Sequence, residues 1–209
     1  SMSKVIYVEA SPRKSRSHSS KLASIFIESY KNHHPEDVIQ TIDLWSTDLP
    51  EFNDEKLNAK YSIMHGEDPS DSEKSAWKEI ESIFATFNEA DKYIFSVPMW
   101  NFGLPYVLKH YIDVITQPGL AWSFSPDSGY TGLVQGKVLA IYATGGAYDV
   151  GSETEAFDLQ KPAFEGWLSF IGLSDVERLV VAPTLAAPDD VTAMEESLAL
   201  DAKKMAQSF

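Results

Sequence analysis

The chain alternates short apolar runs with longer segments whose apolar residues recur at helical spacing. Lys4–Ala10 is rich in β-branched and aromatic residues and stops at Ser11-Pro12, which predicts a buried strand ending in a turn. Ser17–Asn32 carries an apolar stripe behind a serine-rich start, which predicts a helix. The same alternation predicts four more strands and four more helices. The further strands are Val38–Leu44, Lys92–Val97, Lys137–Ala143 and Val176–Ala182, and the further helices are Ser72–Asn88, Pro105–Ile115, Glu155–Ile171 and Pro188–Gln207.

Five alternations of strand and helix predict one doubly wound α/β domain, residues 1–209, with helices on both faces of a parallel sheet. Trp45–Ser70 has no sustained period and is predicted to be a long excursion. Ser1 ahead of Met2 is interpreted as an expression remnant. In such a sheet, ligands bind beyond the carboxyl ends of the strands, so the loops after the strands are the candidates for chemistry.

The composition of the chain excludes several kinds of site and partner. The chain has no cysteine, which excludes disulfides, thiolate nucleophiles and thiolate metal sites. Its formal net charge of −14 repels nucleic acid and anionic membranes, so we expect neither as a partner. No apolar stretch approaches the roughly 20 residues of a membrane span, and we predict no signal peptide. A cytoplasmic protein is expected. The acidity serves solubility, with docking of a basic redox partner as the alternative.

The loop after the first strand, Ser11–Ser20, combines five hydroxyls, three fixed positive charges and His18 at the start of a helix. Unpaired N–H groups and the helix dipole favour an anion there, and a phosphate dianion fits best. The alternative is an exposed helix cap with solvated basic neighbours. The loop matches neither a dinucleotide fingerprint nor a Walker loop.

The loops after the third and fourth strands suit a planar ring. Pro98–Pro105 brings two aromatic residues, a methionine and an amide to the sheet edge, although an apolar loop folded into the core is the alternative. Thr144–Tyr148 contains two glycines that permit close backbone approach. A phosphate cradle, an aromatic shelf and a glycine turn on three such loops together indicate FMN.

With these segments in view, the chain resembles the FMN-dependent NADH-azoreductase/NADH:quinone oxidoreductase family over nearly its whole length. The most specific part is PMWNFGLPYVLKHYIDVITQPGLAWSF (Pro98–Phe124), followed by GYTGLVQGKVLAI and the TGG turn. The resemblance implies a flavodoxin-like fold of strand order 2-1-3-4-5 and ping-pong, two-electron reduction of quinones or azo compounds by NADH or NADPH. The implied FMN-binding residues are Ser11, Ser17, His18, Ser19, Met99, Trp100, Asn101, Phe102, Ala143, Thr144, Gly145 and Gly146.

Two positions depart from the family pattern. Trp100 replaces a usual tyrosine, and Thr144 stands where many members carry a bulkier basic residue, which leaves substrate and nicotinamide preference open. The resemblance also implies a homodimer with the active site at the subunit interface, to which the helices Pro105–Ile115 and Glu155–Ile171 could contribute. No covalent catalytic residue is implied. The candidate substrate contacts are Asn101, Tyr148, Trp122, Phe124 and Trp167, with ordinary packing as the alternative for the last three.

Other chemistries find less support. His33, His34, His65 and His110 have no metal-ligand spacing with nearby carboxylates, so we predict no metal site. A serine hydrolase motif is absent from the sequence. The leading rival function is a flavodoxin-type carrier that binds FMN and passes single electrons to a protein. A flavin-binding sensor and a phosphate-binding protein without flavin follow it.

Overall fold

The computed structural model describes residues 2–209, in which five strands form a parallel sheet and two form a separate antiparallel hairpin. The sheet order confirms the predicted 2-1-3-4-5 arrangement once the hairpin strands are set aside. The strands are β1 (Lys4–Glu9), β2 (Val38–Asp43), β3 (Lys92–Pro98), β4 (Trp122–Ser125), β5 (Gly129–Gly132), β6 (Lys137–Ala143) and β7 (Asp175–Val181). The helices are α1 (His18–His33), α2 (Asp54–Met64), α3 (Asp71–Phe87), α4 (Tyr106–Ile115), α5 (Lys161–Ile171) and α6 (Pro188–Ser208).

The central strands are buried because helices cover both faces of the sheet. Along β3, Tyr93 and Phe95 face the layer of α3, α4 and α5, whereas Ile94 faces α1 and α6. Full burial of one such large apolar side chain stabilises the fold by about 1.5–3 kcal/mol. The register pairs Pro98 of β3 with Ala143 of β6, so the loops that follow these strands leave the sheet side by side.

The structure differs from the predicted elements in three places. The excursion contains α2, whose N-cap Asn53 accepts a hydrogen bond from the N–H of Lys56 at 3.3 Å. Glu155–Ile171 is not one helix, since residues 155–157 form a short 3₁₀ turn and α5 begins only at Lys161. The carboxylate of Asp158 explains this start, because its Oδ1 accepts the N–H of Lys161 at 3.1 Å. The β4–β5 hairpin was not predicted.

Ser70 caps α3 in a reciprocal arrangement that predicts a measurable stability effect. Its Oγ accepts from the N–H of Glu73 at 3.2 Å, and the Glu73 carboxylate accepts from the N–H of Ser70 at 2.8 Å. We expect Ser70→Ala to lower the free energy of unfolding by about 1 kcal/mol in urea denaturation. Ser72→Ala, exposed in the same helical turn, is the control. Equal effects of the two substitutions would contradict this role of the cap.

Candidate functional site

The carboxyl ends of β1, β3, β6 and β7 surround one cleft of about 190 Å³. It lies where the strand order reverses, which is the expected ligand position in a doubly wound sheet. A cavity of about 280 Å³ between α1 and α6 shares His18 with it and touches the end of β7 at Val181, but none of the residues that follow β3 or β6 line it. The cleft is lined by Ser11, Pro12, Arg13, Ser17, His18, Pro98, Met99, Trp100, Ala143, Thr144, Gly145 and Thr184.

Buried serines lie in the loop after β1 and at the start of α1. Ser11, Ser17 and Ser19 expose 5% of their surface or less, although each carries a hydroxyl group. The Ser17 Oγ caps the helix by accepting from the N–H of Ser20 at 3.3 Å, and it lies 3.1 Å from the Ser19 Oγ. The N–H groups of the first helical turn have no acceptor within the helix. Buried hydroxyls and free N–H groups are the donors that a phosphate group requires, so the start of α1 is a candidate phosphate site.

The three basic residues of this loop differ in their positions. Arg13 lines the cleft, whereas Arg16 is exposed outside the lining. Lys14 does not face the cleft, because its ammonium group forms ion pairs with Asp43 and with Glu9. Only one of the three fixed charges is therefore placed to contact a phosphate group directly.

His18 also lines the cleft, at the first helical position of α1. Its Nδ1 lies 3.1 Å from the carboxylate of Glu195 on α6, and Lys21 pairs with the same carboxylate at 3.2 Å. These contacts connect the start of α1, which borders the cleft, with α6, the last helix of the chain.

The aromatic shelf consists of Met99 and Trp100, which both line the cleft. The N–H of Met99 donates to the carbonyl of Ala143 at 2.9 Å, which fixes this loop to the end of β6. Trp100 and Gly103 exchange two backbone hydrogen bonds, and between them Asn101 and Phe102 adopt positive φ values of 48° and 70°. Asn101 and Phe102 therefore project from the rim as an exposed turn, outside the cleft lining.

Trp45 supports the shelf from behind. Its ring centroid lies 5.8 Å from that of Trp100 and 5.4 Å from that of Tyr106, and its indole Nε1 donates to the carbonyl of Ala10 at 2.8 Å. The sequence placed Trp45 only at the start of an excursion. Its function in holding the shelf depends on the path of the chain after β2.

We expect Trp45→Phe to destabilise the protein by about 1–3 kcal/mol, because the buried carbonyl of Ala10 loses its indole donor. Tyr106→Phe is the control, since Tyr106 belongs to the same aromatic cluster but is 68% exposed. That substitution should change the free energy of unfolding by less than about 0.5 kcal/mol. Denaturant unfolding of both variants measures the difference, and a tolerated Trp45→Phe would contradict the role of the indole hydrogen bond.

The glycine turn after β6 completes the cleft. Thr144 is buried and its hydroxyl donates to the carbonyl of Gly146 at 2.7 Å, so this side chain stabilises the turn itself. A β-carbon on Gly145 would lie 3.0 Å from the Cδ1 atom of Leu185, an exposed side chain with room to move aside. Gly146 is exposed and outside the lining. Thr184, whose N–H donates to the carbonyl of Thr144 at 3.0 Å, lines the cleft although sequence reasoning missed it.

The structure does not bring Trp167 to the cleft of its own chain. Its indole is buried in the core, where Nε1 donates to the hydroxyl of Thr116 at 2.8 Å and the ring packs on Phe164 and Phe95. The reason is geometric. α5 runs from the carboxyl edge of the sheet back to the amino edge, so a residue in its second half lies far from the strand ends that form the cleft.

Trp122 and Phe124 also lie at the amino edge of the sheet. They belong to β4 and pack on Tyr130 of the neighbouring strand, while Trp122 also contacts Phe170 at the end of α5. Within one chain they are thus separated from the cleft. Tyr148 lies closer, with its hydroxyl 3.5 Å from a β-carbon built on Gly146, but outside the lining.

Metal-ligating residues do not converge anywhere in residues 2–209, where no three His, Asp or Glu side chains form a cluster that could hold an ion. Over the same residues, no helix combines the length and apolar character required to cross a membrane. His110 has a packing role, since its Nε2 lies 2.7 Å from the carbonyl of Pro50.

Comparison with known proteins agrees with this geometry. The model of the family described as "Flavodoxin-like fold" matches residues 3–205. The FMN-dependent NADH:quinone oxidoreductase of Desulfotalea psychrophila is 48% identical over 184 residues, covering 88% of this chain and 87% of the relative. That of Nitratidesulfovibrio vulgaris (strain DP4) is 40% identical over the full length of both chains. The crystal structure of an azoreductase from Bacillus anthracis superposes with a TM-score of 0.90 at 28% identity, covering 99% of this chain and 100% of that one. The chain therefore belongs to the flavodoxin-like family, together with the FMN-dependent NADH:quinone oxidoreductases.

Proposed function

We propose that the chain is an FMN-dependent NADH:quinone oxidoreductase that also reduces azo compounds. The observation that carries this proposal is a single cleft at the strand ends that joins buried serines, an aromatic shelf and a glycine turn. Relatives covering nearly all of the chain are named FMN-dependent NADH:quinone oxidoreductases, and structural neighbours are named azoreductases. Both kinds of name favour a reductase over a carrier that only passes electrons to a protein.

The residues of the cleft fit FMN. Ser11, Ser17 and Ser19 are buried hydroxyls with few protein partners, and they would hold the phosphate group at the start of α1. Met99 and Trp100 would contact the ring, and Gly145 would allow it to approach the backbone closely. When bound, FMN supplies the acceptance and donation of a hydride, which no side chain of this protein can perform.

The chain's own residues orient the reactants, exclude water and stabilise charge. The first turn of α1 and Arg13 offset the negative charge of the phosphate group. Backbone N–H groups of the Gly145-Gly146 turn would stabilise negative charge at the ring. Asn101 and Tyr148 flank the rim and are the candidate hydrogen-bond donors to an electron-poor substrate. No step requires a protein nucleophile.

The active unit is a homodimer of one-domain subunits, residues 1–209, in the cytoplasm. Large apolar residues near the rim are exposed in the single chain, among them Phe102 at 47%, Phe157 at 55% and Leu159 at 58%. Phe102 and Phe157 contact each other with ring centroids 5.8 Å apart, so they form a continuous apolar patch. A second subunit covering this patch would close the cleft. Trp122 and Phe124, which lie far from the cleft of their own chain, would then be near the cleft of the other subunit.

The test is reconstitution with FMN, removal of unbound flavin, and anaerobic titration with NADH while the visible flavin band is followed. Retained FMN that one equivalent of NADH bleaches without a one-electron-reduced signal supports the reductase. Reoxidation by a quinone or an azo dye identifies the acceptor class. A yellow protein that NADH does not bleach would overturn the proposal in favour of the electron carrier. Parallel titration with NADPH ranks the two donors.

A further inference from the structure

Lys14 belongs to the loop that would hold the FMN phosphate group, but its side chain points away from the cleft. The ammonium nitrogen pairs with the carboxylate of Asp43 and lies 3.2 Å from that of Glu9. The side chain is 41% exposed, yet the nitrogen itself is shielded from solvent. Lys14 also has a positive φ of 53°, which an ordinary residue rarely adopts. This backbone conformation turns the side chain beneath the loop.

Glu9 and Asp43 are two carboxylates at the carboxyl ends of β1 and β2, beside the loop. Their side chains are only 12% and 24% exposed, so water screens them weakly. Glu9 precedes the cleft residue Ser11 by two positions and accepts a hydrogen bond from the Tyr7 hydroxyl at 3.2 Å. Burial raises the pKa of Tyr7, which keeps this phenol protonated as the donor.

Asp43 is held in its ionised form. Partial burial alone would raise the pKa of its carboxyl group, but the Lys14 ammonium and two further donors outweigh burial and lower that pKa. The further donors are the Ser46 hydroxyl at 2.9 Å and the N–H of Trp45 at 3.0 Å. Two negative charges therefore lie beside the loop that would accept the phosphate dianion, and Lys14 is the cation in contact with both.

We propose that Lys14 is a positioning residue that makes this loop selective for a phosphorylated flavin, because its ammonium group offsets part of the negative charge of Glu9 and Asp43 beside the loop. The inference rests on the proposed function. Lys14 acts through the two carboxylates and does not touch the phosphate group. Without its charge, the carboxylates would oppose the phosphate group of FMN but would have little effect on riboflavin, which has no phosphate group.

Lys14→Gly is the informative substitution, because glycine accepts a positive φ without strain while the charge is removed. Lys14→Arg keeps the charge. Lys78→Gln, at an exposed position on α3, controls for the loss of one positive charge elsewhere. The triple variant Lys14→Gly/Glu9→Gln/Asp43→Asn removes all three charges and keeps amide oxygens as acceptors for the neighbouring donors.

The experiment measures the Kd of the apoprotein for FMN and for riboflavin by quenching of flavin fluorescence, with circular dichroism to verify folding. We expect Lys14→Gly to raise the Kd for FMN by at least about 10-fold, equivalent to about 1.4 kcal/mol, with the Kd for riboflavin changed less than about 3-fold. Lys14→Arg and the triple variant should regain most of the FMN affinity, and Lys78→Gln should bind as the wild type does.

Equal losses for both flavins would show that Lys14 only supports the loop structure, and would overturn the inference. FMN binding by Lys14→Gly as tight as that of the wild type would overturn it too. If Lys14→Gly fails to fold, the double variant Glu9→Gln/Asp43→Asn decides, since it should bind FMN more tightly than the wild type and weaker binding would contradict the inference. A wild-type protein that binds no FMN would instead refute the proposed function.

Discussion

Gly132→Ala is expected to lower the free energy of unfolding by about 3 kcal/mol or more, because the added methyl group would overlap backbone atoms. A β-carbon on Gly132 would lie 2.2 Å from the backbone nitrogen of Gly172 and 2.3 Å from the carbonyl carbon of Ile171. Both contacts are with backbone at the end of α5, so no side chain can rotate away to make room. Gly172 itself ends the helix with a φ of 105°.

The surrounding hydrogen bonds leave the backbone little freedom to relax. The N–H of Val134 donates to the carbonyl of Ile171 at 2.9 Å, which holds the loop that follows Gly132 against the end of α5. Gly166→Ala is the matched control, because Gly166 is exposed within α5 and a β-carbon there would meet no atom within 4 Å. That substitution should stabilise the protein by about 0.5–1 kcal/mol. Urea denaturation measures both, and a Gly132→Ala protein as stable as the wild type would contradict the close packing of the hairpin.

The β4–β5 hairpin is an element that the hydrophobic pattern of the sequence did not predict. The parallel strands were predictable because burial on both faces produces continuous apolar runs, as in Lys92–Val97 and Lys137–Ala143. β4 and β5 have only four residues each, and their packing depends on the distant end of α5. α2 was missed for a similar reason. Its buried residues are only Lys56 and Ala59, so no apolar stripe marks it, although the cap Asn53 was a signal that could have been noticed.

The position of the cleft was predictable from topology, because the loops after parallel strands must converge at one edge. The structure brings together most of the residues expected at a flavin, including Ser11, Ser17, Met99 and Gly145. The direction of individual side chains was not predictable from their position in the sequence. Lys14 turns away because its backbone adopts a positive φ next to two carboxylates.

Thr184 and Trp167 illustrate the same limit of local patterns. Thr184 reaches the cleft through a hydrogen bond between the loops that follow β6 and β7, a contact with no signature in either segment. Trp167 was a candidate roof for the ring because the family resemblance implies a dimer interface at the active site, to which the helix predicted over Glu155–Ile171 could contribute. With its start at Lys161, the helix places that indole in the core, over the amino half of the sheet.

Ser17→Asp is expected to weaken FMN binding strongly while leaving the apoprotein folded and equally stable. Ser17 is the N-cap of α1 and a buried hydroxyl that lines the cleft, where we propose that it contacts the phosphate group. Aspartate caps helices as well as serine does, and α1 has no acidic residue in its first turn, so the helix dipole favours the new carboxylate. The same carboxylate would lie against the phosphate dianion of FMN. It would also remove the hydroxyl group that would donate a hydrogen bond to that phosphate.

Loss of a hydrogen bond to a charged group together with like-charge repulsion should raise the Kd for FMN by at least about 100-fold, or about 2.8 kcal/mol. Ser75→Asp, which adds the same charge at an exposed position of α3, is the control and should bind FMN as the wild type does. Fluorescence quenching gives the affinity, and thermal unfolding of the apoprotein gives the stability. Since Ser17→Ala would weaken both the cap and the phosphate site, only the aspartate variant separates them. A stable Ser17→Asp protein that retains FMN would mean that the phosphate group lies elsewhere than at the start of α1.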